Sequence, residues 1–258
     1  MKTIYLKALV IASIFFSFII DENDKFEENR SLKNFNSIFL SVRAQVYVSQ
    51  KDTYAVKIIS NCSEIINEIE TKVSGGTLSI YCNKPSRLWR QKNLQIKIFI
   101  ALPEIEKLNV TGSGTIRAKK ITSEKNNFAV VGSGTIIIEE LITQSLKSSV
   151  TGSGDLKIEN VIAKSVNASV AGSGDIQLAS NETIEIANFD ISGSGDIKAK
   201  NLKVINANAS IAGSGDIVLN VKENLKAVVV GSGDIRYFGN PKNIDSNVTG
   251  SGTVRSGN

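Results

Sequence analysis

The tripeptide Gly-Ser-Gly recurs eight times between residues 112 and 252 of this 258-residue chain. The copies begin at Gly112, Gly132, Gly152, Gly172, Gly193, Gly213, Gly231 and Gly250, so successive copies lie 18 to 21 residues apart. They account for 16 of the 20 glycines, so glycine marks a fixed point in each repeat and does not form a flexible linker. A fixed period near twenty residues is typical of a solenoid, in which the repeats stack on one another.

Apolar residues on both sides of the tripeptide identify the repeats as β-strands. A valine or isoleucine lies two residues before each copy, and an isoleucine, leucine or valine lies four residues after its first glycine. Apolar residues two apart, most of them β-branched, indicate strands with one buried face. Glycine accepts a positive φ, so the tripeptide is a tight corner between two strands. We therefore predict an all-β fold, a parallel β-helix whose coils of about 20 residues turn at Gly-Ser-Gly, right-handed because crossovers between parallel strands favour that hand.

The N-terminus has the pattern of an export signal. Lys2 and Lys7 precede an apolar run over residues 8–20, and acidic residues follow from Asp21. As a helix this run would span roughly 20 Å, short of the ~30 Å hydrocarbon core of a membrane. We predict a signal peptide or short export segment over residues 1–20 and an exported protein, in the bacterial periplasm, on the outer surface or outside the cell. An uncleaved anchor and a buried N-terminal strand are the alternatives.

The repeats, their spacing and the export segment resemble a known bacterial family, the auto-transporter adhesins with a head GIN domain. Alternating apolar strands upstream extend the resemblance, which covers about residues 30–258; these strands are Phe35–Ile38, Val46–Val48, Val56–Ile58, Gly76–Ile80 and Leu94–Pro103. The resemblance implies a β-helix with a tight glycine turn between sheets, an exported location and a role in cell adhesion. It implies no catalytic residues.

Residues 30–107 lack the Gly-Ser-Gly corner but keep alternating apolar residues. We predict that they form irregular β coils that cap one end of residues 108–258, in one continuous unit. Cys62 and Cys82 lie 20 residues apart, one coil length. At equivalent positions of stacked coils their Cα atoms would lie within reach of a disulfide, which we predict for an oxidising compartment, with two free buried thiols as the alternative.

Composition excludes several function classes. The chain has no histidine, which removes Ser-His-Asp and Cys-His catalysis and the usual histidine-ligated zinc sites. The formal charge of +5 is modest for a nucleic-acid binder of this length, so we expect no nucleic-acid partner. We also expect no cofactor.

An acidic column follows the corners. The residue after Gly-Ser-Gly is aspartate in five copies and threonine in three, and the five are Asp155, Asp175, Asp196, Asp216 and Asp234. Stacked carboxylates about 5 Å apart repel each other. Neighbouring basic side chains or backbone N–H groups would relieve that repulsion, and a ladder of bound cations such as calcium is the alternative.

A basic segment interrupts the N-terminal strands. Residues 71–103 contain six basic residues and no acidic one, and residues 84–92 read as a loop with four of the six. Arg87, Trp89, Arg90 and Lys92 are candidates for contact with an anionic surface such as lipopolysaccharide, an acidic glycan or a membrane. A solvated loop whose tryptophan covers a core edge is the alternative.

We expect a non-enzymatic exported protein, a cell-surface or envelope module for adhesion or interaction with a glycan or protein ligand. A periplasmic structural protein without external ligand is one alternative. A polysaccharide-active β-helix enzyme is another, and it would need an acid pair such as Asp175 and Asp196 in a regular column that has no distinguished member. The last coil follows Gly250 closely and would leave an open strand edge, which favours a homo-oligomer.

Overall fold

The computed structural model describes residues 26–258, so the export segment expected over residues 1–20 lies outside the described residues. The fold is all-β as predicted, with 67% of the residues in strands. The helices of the described part are α1 (Ser63–Glu68) and a 3₁₀ helix over Arg87–Arg90. Within residues 26–258, no helix has the length and apolar character needed to cross a membrane.

Twenty-one strands form one hydrogen-bonded system in the described chain. The N-terminal part contains β1 (Phe26–Arg30), β2 (Ser37–Leu40), β3 (Gln45–Gln50), β4 (Ala55–Ser60), β5 (Glu70–Ser74), β6 (Thr77–Tyr81) and β7 (Ile96–Leu102). The repeated part contains β8 (Lys107–Gly112), β9 (Thr115–Thr122), β10 (Lys125–Gly132), β11 (Thr135–Ile142), β12 (Ser145–Gly152), β13 (Asp155–Ile162), β14 (Ser165–Gly172), β15 (Asp175–Leu178), β16 (Thr183–Gly193), β17 (Ile197–Gly213), β18 (Ile217–Gly231), β19 (Asp234–Phe238), β20 (Asn243–Gly250) and β21 (Thr253–Ser256).

The repeated part is a parallel β-solenoid, which confirms the fold expected from the sequence. The solenoid has about eight turns, and its parallel bridges join residues about 20 apart. β10 pairs in parallel with β8 and β12, and this register aligns Gly132 with Gly112 and Gly152. β11 pairs in the same way with β9 and β13. The Gly-Ser-Gly corners therefore stack directly above one another.

The apolar columns seen in the sequence line the interior. The residues two before the corner are at most 3% exposed from Val110 to Val229, and those four after its first glycine are at most 1% exposed from Ile116 to Ile235. In another inner column a large side chain lies between two small ones, since buried Phe189 is paired in register with Ala168 and Ala209. The small neighbours leave room for the phenylalanine ring in a close-packed interior.

The N-terminal coils are stacked in an order that differs from their order in the sequence. β2 pairs in parallel with β8 on one edge and with β6 on the other, and β3 pairs likewise with β9 and β7. β6 and β7 therefore form the coil beyond β2 and β3, although they come later in the chain. β4 pairs antiparallel with both β7 and β1, and β5 pairs antiparallel with β6. The chain thus runs outward past its first coil and returns through antiparallel strands before the regular coils begin.

Helix α1 lies in this reversal. Its Ile65 and Ile66 are buried in the common core, and the helix ends before Ile69, whose backbone is extended. The paired apolar residues place one face of the short helix against the core, and tertiary packing stabilises a helix too short to form alone.

The last described coil differs from those before it. Every residue of β20 is exposed, and the inward positions Ile244 and Val248 are 45% and 39% exposed. β20 pairs with β18, and β21 pairs with β19.

Candidate functional site

The column of corners leaves no room for side chains at its glycines. A Cβ atom on Gly213 would lie 2.1 Å from the carbonyl oxygen of Gly193, and one on Gly195 would lie 2.0 Å from that of Gly174. The first glycine of each copy also has a positive φ, between +91° and +143°. The serine N–H of each later corner donates to the carbonyl oxygen of the first glycine in the corner before it, at 2.8–2.9 Å. The tripeptide is therefore a packing element that joins coil to coil.

The aspartate carboxylates belong to the same packing. The backbone N–H of Asp196 donates to Asp175 Oδ1 at 3.1 Å, and that of Asp216 donates to Asp196 Oδ1 at 3.1 Å. The bond continues along the column, from Asp234 to Asp216 at 3.0 Å and from Thr253 to Asp234 at 2.9 Å. Four of the five carboxylates thus accept an N–H group from the next coil. At Asp155 the pattern differs, since the N–H of Asp175 donates to Gly154 O at 3.3 Å.

Basic side chains compensate part of the remaining charge. Lys198 Nζ lies 2.5 Å from Asp175 Oδ2 and 3.5 Å from Asp196 Oδ2. The hydrogen bond to Asp175 is the main cause that raises the pKa of Lys198. Arg255 contacts Asp234 at 3.5 Å. Within the described residues no group of three or more histidine, cysteine, aspartate or glutamate side chains is placed to hold a metal ion. The cation ladder remains an untested alternative.

The basic segment forms the corner of the coil made by β6 and β7. Where the regular coils turn at Gly-Ser-Gly, this coil uses the loop of residues 82–95, hereafter the basic loop. Arg87, Arg90 and Lys92 are exposed there, and none of them forms an ion pair with any other described residue. Trp89 is half-buried and packs against the core.

Glu68 of α1 attaches the basic loop to the body of the protein. Its Oε2 accepts the indole N–H of Trp89 at 2.7 Å and the backbone N–H of Ser86 at 3.0 Å. The bond from the Ser86 backbone is the largest cause that lowers the pKa of Glu68. The tryptophan therefore anchors the loop, while the three cations lie in solvent.

The two cysteines are free thiols in the structure. Cys62 follows β4 and Cys82 follows β6, and these strands pair with different partners, so the cysteines are not equivalent points of adjacent coils. Cys62 Sγ donates to Glu64 Oε2 at 3.3 Å. Burial is the main cause that raises the pKa of Cys82. The disulfide stays a prediction, which thiol titration of the denatured exported protein tests.

A cavity that sequence reasoning missed lies beside the basic loop. The coil of β2 and β3 turns through residues 41–44, where Val42 and Ala44 occupy the places that glycines hold in later coils. A cavity of about 390 Å³ extends across this corner, the end of the basic loop and the first Gly-Ser-Gly corner. It is lined by Arg43, Ala44, Gln45, Leu94, Gln95, Ile96, Lys97, Ser113 and Thr115. The absence of glycines at residues 41–44 was the signal available in the sequence.

Fold and site together define a β-solenoid protein with closely packed corners and a cationic loop at one end. The chain belongs to the family described as putative auto-transporter adhesin, head GIN domain, whose model matches residues 34–241. This confirms the resemblance seen in the sequence. A comparison with curated proteins finds no match.

Solved structures share this fold. A putative lipid binding protein from Parabacteroides distasonis is 26% identical with a TM-score of 0.82, over 90% of this chain and 96% of that one. A putative adhesin from Parabacteroides merdae has 20% identity and a TM-score of 0.82, over 90% and 96% of the two chains. A putative adhesin from Bacteroides fragilis has 24% identity and a TM-score of 0.64, again over 90% and 96%. At these identities the two adhesins show the fold alone.

Proposed function

We propose that this protein is a non-enzymatic, exported adhesion module that attaches its cell to an anionic surface. The observation that carries the proposal is the basic loop, which holds Arg87, Arg90 and Lys92 in solvent on an anchored corner. Exposed cations without internal partners attract anionic surfaces and keep that attraction available for binding. Membership of an adhesin family supports the same function.

The acidic column supports a role without catalysis. A glycosidase needs two carboxyl groups of different character, one acid and one base or nucleophile. Asp175 and Asp196 instead share the same environment, because each accepts a backbone N–H from the next coil and each contacts Lys198. The pair therefore works as part of the solenoid packing.

Attachment is tested with cells that express the full chain. Beads coated with polygalacturonate and vesicles of phosphatidylglycerol supply the anionic surface from a glycan and from a lipid, and the lipid arm follows the structural relative named as a putative lipid binding protein. Replacing Arg87, Arg90 and Lys92 by serine is expected to lower attachment to at least one of the two several-fold. Replacing Lys164, Lys203 and Lys222 by serine, three exposed lysines farther along the solenoid, is the matched control and should leave attachment unchanged.

Location is tested with protease added to intact cells. Degradation of the protein before the outer membrane is opened is expected for a surface adhesin. Protection until the membrane is opened would contradict surface adhesion and favour a periplasmic structural protein. Sequencing the N-terminus of the exported protein shows whether residues 1–20 have been removed.

We also propose that residues 30–107 and 108–258 form one folding unit. The support is the pairing of β2 with β8 and of β3 with β9, which continues the sheets across the boundary. A chain without residues 30–107 would expose the apolar interior at Leu108 and Val110, both fully buried in the intact protein. Such a truncated chain is expected to be insoluble or unfolded, and a folded, soluble fragment would contradict the proposal.

A further inference from the structure

The cavity beside the basic loop exists because two consecutive coils depart from the Gly-Ser-Gly corner. From Gly132 onward the corners are packed in close contact along the column, with no space for a side chain between them. The coil of β2 and β3 turns through residues 41–44 instead, and the next coil outward turns through the wide basic loop. The cavity of about 390 Å³ is lined by both of these turns and by the first Gly-Ser-Gly corner, and its volume lies in the range of small-ligand sites, which begins near ~300 Å³.

The charges around the cavity are positive. Arg43 and Lys97 line it from two different coils, and the described lining contains no acidic residue. Arg43 Nη2 donates to the carbonyl oxygen of Gln91 at 3.0 Å, which holds the guanidinium beside the basic loop. Arg90 and Lys92 flank that glutamine in the chain. An anionic group in the cavity is therefore attracted by Arg43 and, at longer range, by Arg90 and Lys92, and it meets no carboxylate in the described lining.

The acidic column stops short of the cavity. The two corners nearest to it are followed by Thr115 and Thr135, while the first aspartate, Asp155, lies two coils beyond Thr115. Stacked strands are about 4.8 Å apart, so Asp155 is roughly 10 Å from the Thr115 position, about one Debye length at physiological salt. An aspartate at position 115 would line the cavity directly, and the chain has threonine there.

The neutral lining indicates which kind of anion fits. Gln95 contributes an amide, which both donates and accepts hydrogen bonds, and Ser113 and Thr115 contribute hydroxyls. The partly buried Leu94 supplies an apolar patch. Sugar rings combine hydroxyl groups with apolar C–H faces and match this mixture. We infer that the cavity binds an acidic sugar residue, with its carboxylate or sulfate beside Arg43. This inference names a ligand class for the proposed adhesion function, and it rests on that proposal for what the bound sugar does at the cell surface.

Calorimetric titration of the purified full chain tests the inference. The probes are trigalacturonate and a sulfated trisaccharide, with maltotriose as the neutral counterpart. Binding of at least one acidic probe, at least about tenfold tighter than maltotriose, is expected. Equal binding of all three sugars, or binding of none, would overturn the inference.

A single substitution places the missing acid in the cavity. Thr115→Asp gives that corner the residue that five other copies carry, so the fold is expected to accept it. Repulsion at contact distance in a solvated site is expected to weaken the acidic probe about fivefold or more. Thr253→Asp makes the same change at the other end of the column and should leave affinity unchanged. Equal affinities of the two variants would contradict the inference.

A second pair of variants removes positive charge. Arg43→Gln is expected to weaken the acidic probe by a similar factor, while Arg236→Gln, an exposed arginine on β19, should have no effect. If Thr115→Asp weakened binding to phosphatidylglycerol vesicles and left the acidic sugars unaffected, the cavity would be a lipid-headgroup site and the sugar inference would be wrong. Because these titrations use isolated protein, they can succeed while cell attachment fails, and the two proposals are tested separately.

Discussion

The regular coils and the N-terminal coils form the equivalent corner with different residues, and the difference shows why the repeat needs glycine. At Gly213 a side chain would lie 2.1 Å from the Gly193 carbonyl oxygen, because a tight corner lies directly before it. At residues 41–44 the preceding corner is the wide basic loop, and Val42 and Ala44 fit and are buried. Close stacking of one coil on the previous one therefore requires the glycine, and where stacking is loose the same position carries side chains and a cavity opens.

A comparison of two glycines in the same column separates the effect of coil-to-coil packing from the effect of the positive φ. A Cβ atom on Gly112 would contact nothing within 4 Å, although its φ of +91° is positive like that of Gly213. Both alanine substitutions carry the backbone strain of a positive φ, but only Gly213→Ala also forces a coil away from its neighbour. We expect Gly213→Ala to be about 3 kcal/mol more destabilising than Gly112→Ala in guanidinium unfolding. Equal losses would show that the turn alone requires glycine.

The reverse exchange gives the loose corner the residues of the tight one. Val42→Gly combined with Ala44→Gly removes side chains that are 5% and 6% exposed. We expect a loss of about 2 kcal/mol from the lost apolar burial and the added freedom of glycine in the unfolded chain. Guanidinium unfolding measures it, with Arg43→Ser as the control within the same corner. A neutral or stabilising result would show that the side chains of Val42 and Ala44 do not stabilise the corner, and it would contradict this account.

The acidic column offers a matched pair with a smaller effect. Asp196→Ala removes the acceptor of the Asp216 N–H bond, whereas Asp155 accepts no corresponding bond because the N–H of Asp175 donates to Gly154 O. We expect Asp196→Ala to cost about 1 kcal/mol and Asp155→Ala to cost nearly nothing. Asp196→Asn, whose amide oxygen can accept the same bond, should recover most of the loss. Equal effects of the two alanine variants would contradict the claim that the carboxylates stabilise the column by accepting a backbone N–H from the next coil.

The anchor of the basic loop is expected to respond to pH. Hydrogen bonds, first that from the Ser86 backbone, lower the pKa of Glu68 below its ordinary value of 4.5. The stability that these bonds give to the loop is therefore fully present above pH 4.5 and is lost as the pH falls through the lowered pKa of Glu68. The emission of Trp89, the chain's single tryptophan, should therefore shift to longer wavelength in acid. Glu68→Gln should show part of this shift already at neutral pH, and Glu182→Gln should not. An emission spectrum unaffected by acid would contradict the anchoring role.

The regular coils could be predicted from the sequence because each one carries its own marker. Gly-Ser-Gly gives the corner, and the valines and isoleucines two residues before and four after it give the inward face. The N-terminal coils carry no such marker, and alternating apolar residues are the same in parallel and antiparallel strands. The placement of β6 and β7 beyond β2 and β3 depends on pairing between distant segments, which the local pattern does not contain.

For the candidate sites too, features that depend on local sequence could be predicted and features that depend on distant pairing could not. The cations of the basic loop were found because they cluster in sequence, and their exposure follows from the anchoring of Trp89 by Glu68. The cavity was missed because Arg43, Lys97 and Thr115 lie on three different coils and meet only after the chain has doubled back. The aspartates were recognised as a column, but their bonds to the next coil depend on the exact geometry of each corner.

Cross-linking across the column tests the stacking of coils most directly. In a Cys62→Ser, Cys82→Ser background, cysteines at positions 171 and 192 occupy exposed residues that pair in register on adjacent coils, while positions 151 and 192 lie two coils apart. Adjacent strands are about 4.8 Å apart, within disulfide reach, and a second coil doubles that distance beyond it. Mass spectrometry after mild oxidation should find the disulfide in Ala171→Cys/Ser192→Cys and not in Thr151→Cys/Ser192→Cys. Equal cross-linking of both pairs, or of the distant pair alone, would contradict the stacked solenoid.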